Sequence, residues 1–170
     1  MSKKLLLLTS MLLFIIVSLS GCERDDLCAE DTLTTPKLII RFFDIVTGSE
    51  LKQPNELLIR PIGVMDSIFF PTNVDSIAIP LQTDSSITTF EFSINADTTN
   101  DETIQNRDTI SFQYTVEQEY ISSACGFRAT FNGLDFTGPQ QEVSENWIKQ
   151  IDIQNRNITD EQETHVFIFL

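Results

Sequence analysis

Three cysteines and a single histidine are the side chains in this sequence best able to form a covalent bond or bind a metal ion. Cys22 ends an apolar stretch, Cys28 and Cys125 are far apart in the chain, and His165 lies near the C-terminus. The sequence has no Gly-x-Ser-x-Gly, Walker, His-Glu-x-x-His or Cys-x-x-Cys motif, and a lone histidine in a strand is usually structural. We therefore expect a protein that is not an enzyme, with no catalytic residue, metal ion or cofactor.

The first 22 residues predict how the chain is processed. Two lysines precede an apolar run from Leu5 to Leu19, which matches a secretory signal and is shorter than a membrane-spanning helix. The run ends in Leu19, Ser20, Gly21 and Cys22, which resemble the lipobox of bacterial lipoproteins. That resemblance implies removal of residues 1–21 as a signal peptide and a lipid thioether on Cys22, which would anchor the protein in a membrane. The alternatives are an ordinary signal peptide followed by an incidental cysteine, or an uncleaved anchor.

The four residues after Cys22, Glu23–Asp26, are mostly acidic. They resemble the export signal that follows the lipidated cysteine in lipoproteins of the Bacteroidota and directs them to the outer face of the outer membrane. The resemblance implies an outer-membrane lipoprotein and slightly favours surface exposure over a periplasmic location. We expect residues 22–34 to form the lipidated N-terminus and a short acidic tether, followed by one domain over residues 35–170.

Lipidation of Cys22 would leave two thiols, Cys28 and Cys125. In an exported protein, two remaining cysteines favour a disulfide over a metal site or a nucleophile. The bond would close a loop of about 100 residues and stabilise the fold by roughly 4–5 kcal/mol, because it restricts the unfolded chain. Two unpaired, buried thiols are the alternative.

The charge of the chain narrows the choice of partners. Removing residues 1–21 from the 170 takes away two of the 11 Lys+Arg and none of the 25 Asp+Glu, so 149 residues remain with 9 cations, 25 acids and a formal net charge of −16. Such a surface repels nucleic acid and anionic membranes, and neither is expected as a partner. It suits solvation in water and leaves a cationic partner open.

Apolar and polar residues alternate along most of the chain after Thr35, and this period of two predicts β-strands. The segments with the pattern are Lys37–Asp44, Leu57–Ile62, Ser67–Phe70, Ser76–Leu81, Thr88–Ile94, Thr109–Tyr120, Phe127–Phe131, Leu134–Phe136, Trp147–Ile153 and His165–Leu170. Asn132-Gly133 lies between two of them and is a strong signal for a type I′ hairpin. We therefore predict an all-β fold: an antiparallel β-sandwich of about seven to nine strands, with either an immunoglobulin-like or a transthyretin-like strand order.

A tripeptide that begins with Asp and continues with Ser or Thr recurs five times. It resembles the O-glycosylation acceptor of exported Bacteroidota proteins. The candidate acceptors are Thr32, Ser67, Ser76, Thr98 and Thr109. The same pattern also suits a turn followed by the first residue of a strand, so glycosylation and simple turn chemistry both remain open.

Three segments, Cys28–Thr32, Thr34–Phe42 and Ser123–Gly126, resemble a family of small, uncharacterised lipoproteins from the Bacteroidota. The resemblance covers essentially the whole chain after the leader and includes both Cys28 and Cys125. It implies the lipid anchor, the disulfide and the phylum, and it supplies no catalytic residue.

Together these observations predict an outer-membrane-anchored lipoprotein that acts as a non-enzymatic accessory or binding module for an envelope or outer-membrane protein. One alternative is a carbohydrate-binding or carbohydrate-degrading surface lipoprotein. It would need exposed aromatic side chains, for which Trp147, Tyr114 and Tyr120 are the Trp and Tyr candidates. The other alternative is a structural envelope or fimbria-like subunit that polymerises through edge strands.

Overall fold

A computed structural model of the chain describes residues 27–63, 69–96, 105–139 and 146–170, with the backbone alone at 69–71. The predicted signal peptide, the lipobox residues and Cys22, and the candidate glycosylation sites Ser67 and Thr98 lie outside these residues. The described chain forms two compact units. Residues 27–32 and 122–125 belong to the smaller unit, and the rest of the described chain belongs to the larger one.

Nine β-strands occur within the described residues, arranged in two sheets. The first sheet has four strands in the order β4-β1-β9-β8, and the second has five in the order β3-β2-β5-β6-β7. The strands are β1 Leu38–Phe43, β2 Leu57–Pro61, β3 Phe69–Thr72, β4 Ser76–Ile79, β5 Ile87–Ile94, β6 Asn106–Ser122, β7 Gly126–Thr137, β8 Gln150–Ile153 and β9 Val166–Phe169.

The core lies where the apolar faces of the two sheets meet. Along β1, Leu38, Ile40 and Phe42 are fully buried, and the intervening residues are half-buried or exposed, as the period of two requires. Phe90 and Phe92 supply the matching face of β5, and these residues belong to one continuous apolar cluster. The prediction of an all-β sandwich is confirmed.

One strand pair departs from the predicted antiparallel arrangement. β1 and β9 run parallel, with Ile40 opposite Val166 and Phe43 opposite Phe169. Two adjacent parallel strands need a long crossover connection, and here almost the whole larger unit supplies it. Both strands are central in their sheet, which explains why Ile39, Phe43 and Phe167 are at least half-buried on the outer face as well.

The predicted hairpin at Asn132-Gly133 is wrong, because β7 runs without a break from Gly126 to Thr137. Only Gly133 has a positive φ, of 67°, whereas a type I′ turn requires a positive φ at both central residues. Phe131 and Leu134 are both fully buried although they lie three residues apart. This shift of one in the alternation is what a β-bulge produces. The glycine therefore bends a strand, and the turn between β6 and β7 lies at residues 123–125.

The outer edge of β7 is covered by its own chain. Phe131 and Ile158 exchange backbone hydrogen bonds of 3.1 and 2.7 Å, and the Leu134 amide donates to the Arg156 carbonyl at 2.8 Å. This pairing blocks the edge that a fimbria-like subunit would offer on β7. β3, β4 and β8 occupy the remaining sheet edges, and each is four residues long.

Gly133 in β7 and Gly138 just after it differ in how closely the backbone of β6 approaches them. A methyl group added at Gly138 would overlap the Thr109 carbonyl oxygen, whereas one added at Gly133 would meet nothing within 4 Å, and both residues have a positive φ. Gly133→Ala should lower the free energy of unfolding by about 1–2 kcal/mol through backbone conformation alone. Gly138→Ala should cost clearly more, since the β6 backbone must also move. Chemical denaturation compares them, and equal losses would contradict the close approach.

Candidate functional site

The predicted disulfide between Cys28 and Cys125 is present. The two Cα atoms are 4.9 Å apart, and the sequence separation of the two residues is 97. In the same small unit, the Cys125 amide donates a hydrogen bond to Ser122 Oγ at 3.0 Å. Thr32 Oγ1 lies 3.6 Å from Cys125 Sγ. The bond fixes the segment that follows the predicted tether to the turn between β6 and β7.

Three of the five candidate glycosylation sites fall within the described residues. Thr32 is half-buried in a bend next to the disulfide, while Ser76 and Thr109 are half-buried within β4 and β6. Ser76 is paired with Arg41, and Thr109 is paired with Glu91. O-glycosylation of any of these residues stays a prediction.

His165 is almost fully buried and acts as a connector between two strands. The Ile39 amide donates to His165 Nδ1 at 3.0 Å, and the His165 amide donates to the Ile39 carbonyl at 3.0 Å. A ring whose Nδ1 accepts a hydrogen bond carries its proton on Nε2 and is neutral. Burial lowers the pKa of His165, and the nearby carboxylates of Asp160, Glu161 and Glu163 partly offset this effect. The residue therefore completes the β1–β9 pairing.

Asp108 is the buried carboxylate of β6. Its Oδ2 accepts a hydrogen bond of 2.8 Å from the Ile148 amide, and the Trp147 backbone also hydrogen-bonds to it. Burial raises the pKa of Asp108, while these backbone donors and the charge of Lys149 act in the opposite direction. The side chain thus holds the segment that enters β8 against the second sheet.

The aromatic side chains named for a carbohydrate site do not form one. Trp147 is buried, packs at a ring distance of 6.4 Å from Phe42, and donates Nε1 to the Phe92 carbonyl at 3.2 Å. Tyr114 is also buried, and its hydroxyl donates to the Gln82 carbonyl at 2.9 Å. Replacing Trp147 would therefore damage the core and could not report on sugar binding. Tyr120 alone of the three is exposed.

The outer face of the first sheet carries a cluster that we call the outer patch: the exposed Arg41 and Leu51, the half-buried Phe43 and Phe167, and Phe169, which is 8% exposed. The Phe43 ring lies 4.7 Å from that of Phe167 and 5.7 Å from that of Phe169. Leu51 pairs with Phe43 in an isolated bridge and is 47% exposed. Arg41, opposite Phe167 in register, is exposed on the same face. Aromatic rings beside an arginine are enriched in protein interfaces.

A second exposed apolar group lies on the outer part of β6 and β7. Tyr120 and Phe127 are 59% and 64% exposed, and their rings meet edge to face at 5.2 Å. On the opposite face of the same strands, Arg128 and Glu119 form an ion pair of 2.7 Å. We call residues 116–121 and 126–128 the aromatic arm. Sequence reasoning missed it, because Glu117, Gln118 and Glu119 interrupt the apolar alternation between Val116 and Tyr120.

The described residues also line two clefts. One of about 190 Å³ is lined by the end of β7 and the segment around Ile148, and one of about 320 Å³ is lined by the loop around Ser85 and by Tyr114. In the part of the chain that the structure describes, no group of three His, Cys, Asp or Glu side chains is placed to hold a metal ion. Nor does that part contain a helix with the length and apolar composition needed to cross a membrane.

The chain matches the model of a protein family described as a family of unknown function (DUF6452), over residues 56–170. The chain belongs to this family. The matched region contains β2 to β9, Cys125 and the whole aromatic arm, and it begins after β1 and Cys28. No curated protein and no solved structure matches the chain.

His165 should make the stability of the domain depend on pH. Because its pKa is lowered from 6.5 in the folded state, the unfolded chain binds a proton first as the pH falls. The contribution is therefore complete above 6.5 and is lost as the pH falls through the folded-state pKa. His165→Asn keeps an acceptor near the Nδ1 position and does not titrate, so it should flatten the change in melting temperature between about pH 7.5 and pH 5.5.

His165→Ala is the matched control, because it removes the acceptor and leaves the Ile39 amide unpaired. This variant should lose about 1–3 kcal/mol at pH 7.5, and a smaller amount at pH 5.5, where the wild type has itself begun to lose the His165 contribution. An unchanged slope in His165→Asn would assign the pH dependence to other groups.

Proposed function

We propose that this protein is a lipoprotein of the bacterial outer membrane whose β-sandwich serves as a non-enzymatic accessory or binding module for another envelope protein. The observation that carries the proposal is the Cys28–Cys125 disulfide, which binds the domain to a point six residues beyond Cys22. A lipid on Cys22 would then hold the domain close to the membrane surface. The acidic segment Glu23–Asp26 supports export in the manner of Bacteroidota lipoproteins and favours the outer face of the membrane.

The outer patch is the surface best suited to a protein partner. Its rings are held by one another and by the sheet, so they lose little conformational freedom on binding. Arg41 adds a charged donor beside them, and arginine and aromatic residues dominate binding energy at protein interfaces. The net charge of −16 after the leader favours a partner whose surroundings are basic.

Replacing Cys22 tests the anchor. Cys22→Ala should move the protein from the membrane fraction to the soluble fraction, with the Cys28–Cys125 bond intact on a non-reducing gel, because the acyl chains provide the membrane affinity. The matched control is the double variant Cys28→Ala/Cys125→Ala, which removes two thiols and should stay in the membrane. A Cys22→Ala protein that remains membrane-bound would rule out lipid anchoring.

Partner capture tests the binding role. Cross-linking in intact cells, followed by purification from detergent-solubilised membranes, should recover one recurrent envelope protein. Arg41→Ala/Leu51→Ala should reduce its recovery about thirtyfold, since truncating central interface residues costs about 2 kcal/mol. Ile62→Ala, at a half-exposed apolar residue outside the patch, should leave recovery unchanged. Equal recovery with both variants would remove the outer patch from the proposal, and no recurrent protein would remove the binding role.

A further inference from the structure

The aromatic arm extends the core-facing side of β6 and β7 past the last buried residues of these strands. Along β6, Phe112 and Tyr114 are buried, Val116 is half-buried, and Gln118 and Tyr120, on the same face, are exposed. Along β7, the residues Phe131, Ala129 and Phe127 change from buried to exposed in the same direction. A face that carries core-type side chains but remains exposed marks an interaction surface more strongly than scattered apolar residues do.

The covalent structure limits how far this surface can lie from the predicted anchor. Phe127 follows Cys125 by two residues, Cys125 is bonded to Cys28, and Cys28 follows Cys22 by six residues. Six residues span at most about 20–22 Å when fully extended. The end of the arm is therefore joined to the predicted lipid site by a short covalent path.

The chemistry of the two rings suits the boundary between lipid head groups and acyl chains. Tyrosine is enriched at that boundary because its ring is apolar and its hydroxyl is polar, and phenylalanine enters the same layer from peripheral proteins. The Glu119–Arg128 pair keeps the opposite face of the arm polar. The charge of −16 after the leader opposes contact with anionic lipid, so the contact must come from the rings and not from general charge attraction.

We infer that Tyr120 and Phe127 insert into the head-group region of the bilayer that holds the acyl chains of Cys22, and so orient the β-sandwich on the membrane. This inference rests on the proposed lipid anchor. Lipid is the occupant that we infer for the arm, because the covalent path from the proposed lipid on Cys22 is short and the exposed rings suit the head-group region. It leaves the outer patch of the first sheet available to a protein.

Depth-dependent fluorescence quenching tests the inference on the full-length, lipidated protein in phosphatidylcholine vesicles. Phe127→Trp places a reporter on the arm, while the native Trp147 is buried and supplies the background. Ile62→Trp is the matched control: the Ile62 amide bonds to the Thr89 carbonyl, Thr89 pairs with Ser111, and Ser111 lies about 30 Å from Tyr120 along β6. Lipids brominated near the head group should quench Phe127→Trp several-fold more strongly than Ile62→Trp.

A further variant measures the energetic role of the rings. Tyr120→Ser, introduced into the Phe127→Trp protein, should reduce the quenching, because burial of an aromatic ring at this depth changes partitioning about tenfold or more. Anionic lipid added to the vesicles should also reduce it.

Vesicle flotation and fluorescence quenching together distinguish failure of the lipid anchor from failure of the arm to enter the membrane. If wild type and Cys22→Ala both fail to float with vesicles, the lipid anchor itself is wrong. If wild type floats and Phe127→Trp is quenched no more than Ile62→Trp, the anchor stands and the membrane-inserted arm is wrong. Shielding of Phe127→Trp from an aqueous quencher without quenching by brominated lipid would assign the arm to a protein contact and overturn the inference.

Discussion

The parallel pairing of the first and last strands is the constraint on which the first sheet depends. β1 and β9 lie side by side at its centre, so β4 is attached only through β1 and β8 only through β9. Without that pairing the sheet would divide into two two-stranded pieces, which are marginal on their own in water. The pairing is secured at both ends: His165 bonds to Ile39 at one end, and at the other the Leu170 amide donates to the Phe43 carbonyl at 3.0 Å.

The period of two found the strands, except that it divided β7 into two segments, because one face of each sheet is more deeply buried than the other. It could not assign partners, since alternation in β1 looks the same whether its neighbour is parallel or antiparallel. The Asn132-Gly133 pair shows a related limit. Gly133 does adopt the positive φ that its type suggests, but the same conformation serves both a hairpin turn and a bulge, and only the pairing with β6 decides between them.

Sites that depend on residue type alone could be predicted from the sequence, whereas sites that depend on exposure in the fold could not. The disulfide followed from counting cysteines in a chain predicted to be exported, and the structure contains it. Residue type alone could not separate Trp147, which fills the core, from Tyr120, which lies in the open. Both are aromatic residues that follow polar residues and precede an isoleucine in the sequence. Exposure of Tyr120 depends on β6 extending past the covering sheet, which is a property of two elements and not of one segment.

The disulfide lies in a part of the chain that contributes no residue to the hydrophobic core. All members of the buried apolar cluster lie between Leu38 and Ile168, and none belongs to residues 27–32 or 122–125. Burial of apolar surface therefore does not hold the segment that follows the tether, and a covalent bond does so instead. A bond at this position adds nothing to the packing of the two sheets. What it does determine is that the turn at residues 123–125 is bonded to Cys28, which follows the proposed lipidation site Cys22 by six residues.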